Sequence, residues 1–307
     1  MTCYMGIDGG GTSLRVVVVD EALQPLAQAY GETVNPSIVG HAAAAERVQA
    51  AVRTALMQAG LDAADVAAVG VGIAGAAPEH SADWLRATLA DVLPQARQVI
   101  ASDVEIALVG AHGQRLGILV LSGTGSCAYG VNAAGESLLV GGWGYLIGDE
   151  GSGCWLGRQA LKEVARIADQ GRRDEASRTF QAQVLDFLEV RSARQMIPWI
   201  YREGAPAPRI AALAPLVLAM AQAGSPHAQR IVTYGALQLV DYVQRLRDGL
   251  GIDGPIGFAG GLLEKSEYYR RLLADYLQIS APSTRYPPMI GAALLARLVC
   301  YGKDNSC

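Results

Sequence analysis

The sequence predicts an α/β protein built from two similar halves, each opened by a β-hairpin with a glycine tip. Three observations carry this. IDGGGTSLRVVVVD (7–20) sets three glycines and a threonine between an apolar stub and a β-rich run. GILVLSGTGSCAYGVN (117–132) repeats strand, Gly/Thr turn and strand about 115 residues later. Around both, strand-like and helix-like stretches alternate, with no long low-complexity linker.

Each element follows from local pattern. Residues 4–7 and 14–19 are strand-like, the second with four consecutive valines. Residues 25–31 predict a third strand. Residues 42–59, alanine-rich with spaced charges, predict a helix closed by Gly60. Residues 66–74 read as a buried strand, 82–93 as a helix stopped by Pro94, and 98–101 as a short strand ending at Ser102-Asp103. A short helix runs on to Gly110. In the second half, 137–140 predict the third strand after the turn Ser122–Ser126. The next 110 or so residues are mostly helical. Residues 255–258 predict a strand leading into Ala259-Gly260-Gly261, and a helix over 290–300 closes the chain.

A glycine tip allows a tight reversal through positive φ and leaves the backbone bare. Bare N–H groups bind anions, above all phosphate. Asp8, at the edge of the first tip, suits a hydrated Mg²⁺, and Thr12 adds a hydroxyl donor. Taken alone, each tip could equally be a plain turn. Two such tips, each opening an α/β half, would face one another across a cleft and hold a polyphosphate between them.

Composition sets limits. The chain has 307 residues, 51% hydrophobic, enough for a large core and for two domains. A net charge of −4 without a basic run argues against nucleic acid as a partner. The five cysteines Cys3, Cys127, Cys154, Cys300 and Cys307 are scattered, odd in number and without C-x-x-C. Neither a disulfide framework nor a zinc site is indicated. No signal-peptide pattern opens the chain and no apolar stretch has membrane-spanning length, so a cytoplasmic protein is expected.

With the motifs placed, the chain resembles the N-acetylglucosamine kinase and BadF/BadG-type ATPase group of the actin/hexokinase superfamily. The stretches that carry it are IDGGGTSLR (7–15), NPS (35–37), SDVEIAL (102–108), LSGTGSCAYG (121–130), GGWGYLIGDEGSG (141–153) and FAGGLL (258–263), in family order over nearly the whole chain. The resemblance implies two ribonuclease H-like (actin-like ATPase) domains with a cleft between them. Residues 1–115, completed by the helix 288–302, would form the first domain, and 116–287, with a helical insertion, the second. It further implies an ATP-dependent kinase that phosphorylates an amino sugar, with N-acetylglucosamine at its 6-hydroxyl as the expected acceptor. Glucosamine kinase and a BadF-type activator or regulator ATPase remain open, as does an N-acetylmuramic acid type of sugar.

The roles implied by the resemblance can be weighed residue by residue. Asp8 would hold Mg²⁺ through water. Gly10, Gly11 and Thr12 would cradle the ATP phosphates from one domain, and Gly123, Thr124 and Gly125 from the other. Gly260 and Gly261 would border the nucleoside, or form a simple strand-to-helix turn. Asp103 would touch the sugar and act as general base; its alternative is helix N-capping. Asn35 and Asp149 would bind sugar hydroxyls, although Asp149 could instead cap the helix near Ser152. Trp143, followed by Gly144, would offer an aromatic face to the sugar ring. A homodimer is expected. One departure stands out: animal members carry an aromatic soon after the Asn35 position, whereas this chain reads Asn35-Pro36-Ser37, which keeps glucosamine in play.

Two rivals are weaker. Gly70-Val71-Gly72-Ile73-Ala74-Gly75 is a literal G-x-G-x-x-G, but it lies inside an apolar strand and Pro78 precedes the next helix, which does not suit a dinucleotide site. A dehydratase-activating ATPase would carry a cysteine before its second phosphate loop; here Cys127 and Cys154 follow it and read as small apolar filler.

Overall fold

Strands β1 (Cys3–Gly9) and β2 (Ser13–Val19) pair antiparallel from Tyr4↔Val19 to Gly9↔Leu14. β3 (Pro25–Glu32) continues the meander beside β2. After α1 (Pro36–Val39) and α2 (His41–Ala59), β4 (Val66–Ile73) lies parallel to β1 on its other side. α3 (Pro78–Ala90) then leads to β5 (Arg97–Ala101), parallel to β4, and α4 (Asp103–His112) follows directly. The sheet order is β3-β2-β1-β4-β5. This computed structural model describes residues 2–10, 13–74, 78–171, 174–202, 206–280, 282 and 284–301. Its contacts divide into two units, Met1–Leu119 with Thr284–Cys307, and Val120–Ser283.

One face of the first sheet buries Met5, Ile7, Val16 and Val18 against Val48, Val52, Leu85 and Leu89 of α2 and α3. Alternation along β1 and β2 sends these side chains to the helices and the intervening ones to the opposite face. The helix α3 begins and ends earlier than the expected 82–93. Pro78 suits a helix start because its missing N–H has no partner in the first turn, and near the end Leu93 N donates to Leu89 O at 2.7 Å within a turn.

The second unit repeats the opening. β6 (Gly117–Ser122), β7 (Ser126–Val131) and β8 (Ser137–Gly141) follow in turn, with β7 and β8 antiparallel. Helices α5 (Gly153–Asp169), α6 (Glu175–Phe187), α7 (Met196–Ile200), α8 (Pro206–Ala211), α9 (Ala214–Gln222) and α10 (Pro226–Leu250) come next. β9 (Ile256–Ala259) joins the sheet beside β6, giving the order β8-β7-β6-β9. α11 (Gly261–Lys265) and α12 (Glu267–Leu277) complete this unit. Buried His227 on α10 bonds to Glu163 of α5 and lies 3.2 Å from Ser177 Oγ of α6, tying three helices.

The last helix, α13 (Pro288–Tyr301), returns to the first unit and crosses β1 and β4 beside α4. The approach is close. Gly6 and Gly70 are paired across β1 and β4, and a Cβ on them would fall 1.9 Å from Met289 O and 2.0 Å from Ala292 O. Gly72 is similarly closed by Ser102 O, at 2.8 Å from a built Cβ. The G-x-G of this strand is therefore a seat for helices α13 and α4; Gly75 lies outside the described residues.

Candidate active site

In the first unit the candidate residues gather at the carboxyl ends of the parallel strands, where open α/β sheets place their ligands. Asp8 of β1, Gly72 of β4 and Ala101 of β5 stand in one register row. Asp103 follows two residues beyond. The bare backbone of Gly72 admits the start of α4 next to Asp8.

Asp8 is 9% exposed, and its Oδ2 accepts from Arg15 Nη1 at 3.3 Å across the hairpin. Burial raises its pKa; Arg15 opposes that shift, and the neighbouring charge of Asp103 adds to it. Asp103 is half-buried, and desolvation likewise raises its pKa, with the backbone N–H groups of Val104 and of Asp103 itself opposing. Two carboxylates thus share a poorly hydrated corner, an arrangement characteristic of functional sites.

The alternative role for Asp103 falls to its neighbour. Ser102 is the N-cap of α4 and accepts from Glu105 N at 3.1 Å. Asp149 is likewise not the cap of α5: Ser152 is, accepting from Trp155 N at 3.1 Å.

The hairpin tip closes by Gly10 N donating to Ser13 O at 2.8 Å. Gly11 and Thr12 lie outside the described residues. Thr33 Oγ1 donates to Gly10 O at 3.1 Å and accepts from Asn35 N at 3.2 Å, so one hydroxyl ties the tip to Asn35. Asn35 Oδ1 caps α1 through Ser37 N at 2.9 Å, which leaves its amide group to act as a donor. The Asn35-Pro36-Ser37 sequence is thus a helix start, with Pro36 in its first turn.

The tips need glycine for a different reason from the one expected. None of Gly9, Gly10, Gly123 or Gly125 has a positive φ. Space is what excludes a side chain: a Cβ on Gly9 would lie 2.7 Å from Val34 Cγ2, and one on Gly125 2.7 Å from Asp149 Oδ2. Crowding thus accounts for Gly9 and Gly125, whereas a Cβ on Gly10 or Gly123 would make only ordinary contacts.

In the second unit, Gly123 N donates to Gly125 O at 2.9 Å around Thr124. Asp149 is 7% exposed and held at φ 60°, and the backbone N–H groups of Ser126 and Gly144 favour its charged form. Burial raises its pKa more than those donors lower it. Asp149 lies against Gly125 of the phosphate turn and belongs to the segment carrying Trp143, whose side chain is 75% exposed. Gly260, at φ 91°, would place a Cβ 2.6 Å from Ser122 O, whereas a Cβ on Gly261 would meet nothing within 4 Å. Gly260 is thus required by the turn itself, and Gly261 faces open space near Gly123.

Several contributors escaped the sequence reading. Arg15 stands inside the first motif, its register opposite Asp8 being the signal. Thr33, Ser122 and Ser126 carry none beyond being polar residues flanking a glycine turn. Cys127 is half-buried rather than fully packed. Among the described residues no group of three or more His, Cys, Asp or Glu could hold a metal. A cavity of 1420 Å³ among α5, α6 and α7 meets the Trp143 loop only at Tyr145 and Leu146 and is lined by none of the motif glycines.

Two sheets, each begun by a three-stranded meander with a glycine turn between its first two strands, define the class: this is the actin-like ATPase fold. Within that class, the chain belongs to the BadF/BadG/BcrA/BcrD ATPase family, whose sequence profile matches residues 5–296. It is 28% identical to the N-acetylmuramic acid/N-acetylglucosamine kinase of Clostridium acetobutylicum, over 98% of this chain and 100% of that one. It is also 28% identical to the N-acetyl-D-glucosamine kinase of Dictyostelium discoideum, over 95% of this chain and 97% of that one. A Chromobacterium violaceum structure provisionally described as an N-acetylglucosamine kinase superposes with a TM-score of 0.74 at 30% identity, covering 96% of this chain and 99% of the other.

Proposed function

We propose that this chain is an ATP-dependent amino-sugar kinase that phosphorylates the 6-hydroxyl of N-acetylglucosamine. The observation that carries the reading is the gathering of buried Asp8 and half-buried Asp103 beside a glycine turn, in a chain whose kinase relatives align over nearly its whole length.

In this reading, amide groups of Gly10, Gly11, Gly123 and Gly125, with the hydroxyls of Thr12 and Thr124, cradle the phosphates, and Gly261 borders the nucleoside. Asn35, Trp143 with Gly144, and Asp149 orient the sugar. Asp103 accepts the proton of the 6-hydroxyl as that oxygen bonds to the γ-phosphorus and the bond to the β–γ bridging oxygen breaks, releasing ADP. One carboxylate acting through water, without a cage of protein ligands, suits Mg²⁺, which dehydrates reluctantly. Asp8 would hold it, and its charge would offset that developing on the phosphates. A cytoplasmic homodimer belongs to the same reading, and no disulfide joins the described cysteines. Among the described residues no single helix is long and apolar enough to cross a membrane.

The test is ADP release with Mg-ATP across N-acetylglucosamine, glucosamine and N-acetylmuramic acid. N-acetylglucosamine should show the highest kcat/KM. A higher value for free glucosamine would transfer the assignment to glucosamine kinase, a reading favoured by 32% identity to the Vibrio cholerae glucosamine kinase over 55% of this chain. Phosphate release without any sugar dependence would favour an ATPase regulator.

A further inference from the structure

We infer that Ser126 is a positioning residue that couples the sugar-facing loop to the second phosphate turn, so that amino sugar and nucleotide strengthen each other's binding. The inference rests on the kinase reading above and names a device within that site. Ser126 is 5% exposed, and its carbonyl and its hydroxyl both bond to the segment 142–150. Its N–H favours the charged form of the Asp149 carboxylate against the effect of burial. Its carbonyl accepts from Gly142 N at 3.0 Å. Its hydroxyl donates to Glu150 O at 2.7 Å. Both ends of the Trp143 loop are therefore fastened to the residue that closes the Gly123-Thr124-Gly125 turn.

The bonds around it extend the same connection. Ser122 Oγ donates to Gly151 O at 3.0 Å, Gly153 N to Gly123 O at 2.8 Å, and Cys154 N to Thr124 O at 3.2 Å. Tyr269 Oη reaches Gly151 O at 3.0 Å, and Tyr242 Oη bonds to Glu150 Oε2. Glycine-rich loops lose much conformational freedom on ordering. Here two such loops share one hydrogen-bond set, so a ligand that orders one has already ordered the other. The second ligand then binds at lower entropic cost, which is positive coupling without a large structural change. Because Ser122 and Ser126 are shielded from water, their bonds are strong and costly to leave unmade.

Calorimetry of the full chain tests this, with AMPPNP and Mg²⁺ titrated in the presence and absence of saturating N-acetylglucosamine. In the wild type the sugar should tighten AMPPNP binding by at least about 5-fold. Ser126→Ala removes the hydroxyl bond to Glu150 O and keeps the main-chain bond to Gly142, so that factor should fall by at least about 2-fold, while the melting temperature and the Kd for each ligand alone change less. Should Ser126→Ala not fold, Tyr242→Phe keeps the ring, removes a donor to Glu150, and should lower the same factor. A wild-type factor near unity, or an undiminished factor in a folded variant, overturns the coupling and leaves the kinase reading standing. A wild type that binds AMPPNP but no amino sugar overturns the kinase reading itself, and the coupling with it.

Discussion

Ser102 caps helix α4 through the amide of Glu105, and so Asp103 beside it is spared that task. A carboxylate at the first position of a helix, half-buried and next to a second carboxylate, costs stability in its charged form unless a ligand uses it. Its position is therefore explained by chemistry better than by folding.

Asp103→Asn keeps the shape and removes the basic oxygen. The kcat for sugar phosphorylation should fall by at least about 100-fold. Mg-ATP affinity should stay within a few-fold, and the melting temperature at neutral pH should not fall, because the cap belongs to Ser102 and the charged Asp103 costs stability. Measuring all three on one preparation decides the matter: near-normal kcat in the folded variant eliminates the general base.

The pH profile follows from the direction of the same shift. A general base works deprotonated, and burial raises the Asp103 pKa above the ordinary aspartate value of 3.8. The acidic limb of kcat/KM should therefore lie at higher pH than for an unperturbed aspartate, with activity rising through it. Asp103→Asn should show residual activity without that limb.

Asp8 should reveal a conflict between stability and function. Its pKa is raised in the folded state, so the folded form binds its proton more tightly than the unfolded chain does. Stability then falls as pH rises from the unfolded toward the folded pKa, and the penalty is fully present above both. Asp8→Asn should accordingly raise the melting temperature at pH 7 and bring no gain below the unfolded pKa. It should also weaken Mg-nucleotide binding. A variant less stable at neutral pH would show that the pairing with Arg15 outweighs burial.

Gly260 and Gly261 separate a turn from a ligand contact. Gly260→Ala places a Cβ at positive φ against Ser122 and should lower stability by about 1–3 kcal/mol. Gly261→Ala meets no protein atom, so its stability should be unchanged and only the KM for ATP should rise. Thermal melts and nucleotide kinetics on the pair check both halves; an unaltered KM in Gly261→Ala would remove that residue from the nucleoside site.

Trp143→Ala removes an exposed ring, so stability should not move. The sugar KM should rise about 10- to 100-fold if the ring stacks on the pyranose, which corresponds to ~1–3 kcal/mol. ATP affinity should be little affected. Sugar kinetics and a melt on the same sample suffice, and an unchanged KM ends the stacking role.

The sequence by itself determined the repeated meander, because hydrophobic alternation and glycine turns are local signals: the strand around Val16–Val19 and the turn at Gly123-Thr124-Gly125 are written in consecutive residues. It also singled out Asp8, Asp103 and Trp143, whose motifs are contiguous. Tertiary structure decided what contiguity cannot encode. Gly6 and Gly70 are glycines because α13, more than two hundred residues further along, lies against them. Gly125 is bare because Asp149 fills the space its side chain would need. Ser126 looks like any serine after a turn until its carbonyl and hydroxyl are seen to reach Gly142 and Glu150. Local pattern is set by neighbours in the chain, whereas close approach and shared hydrogen bonds are set by neighbours in space.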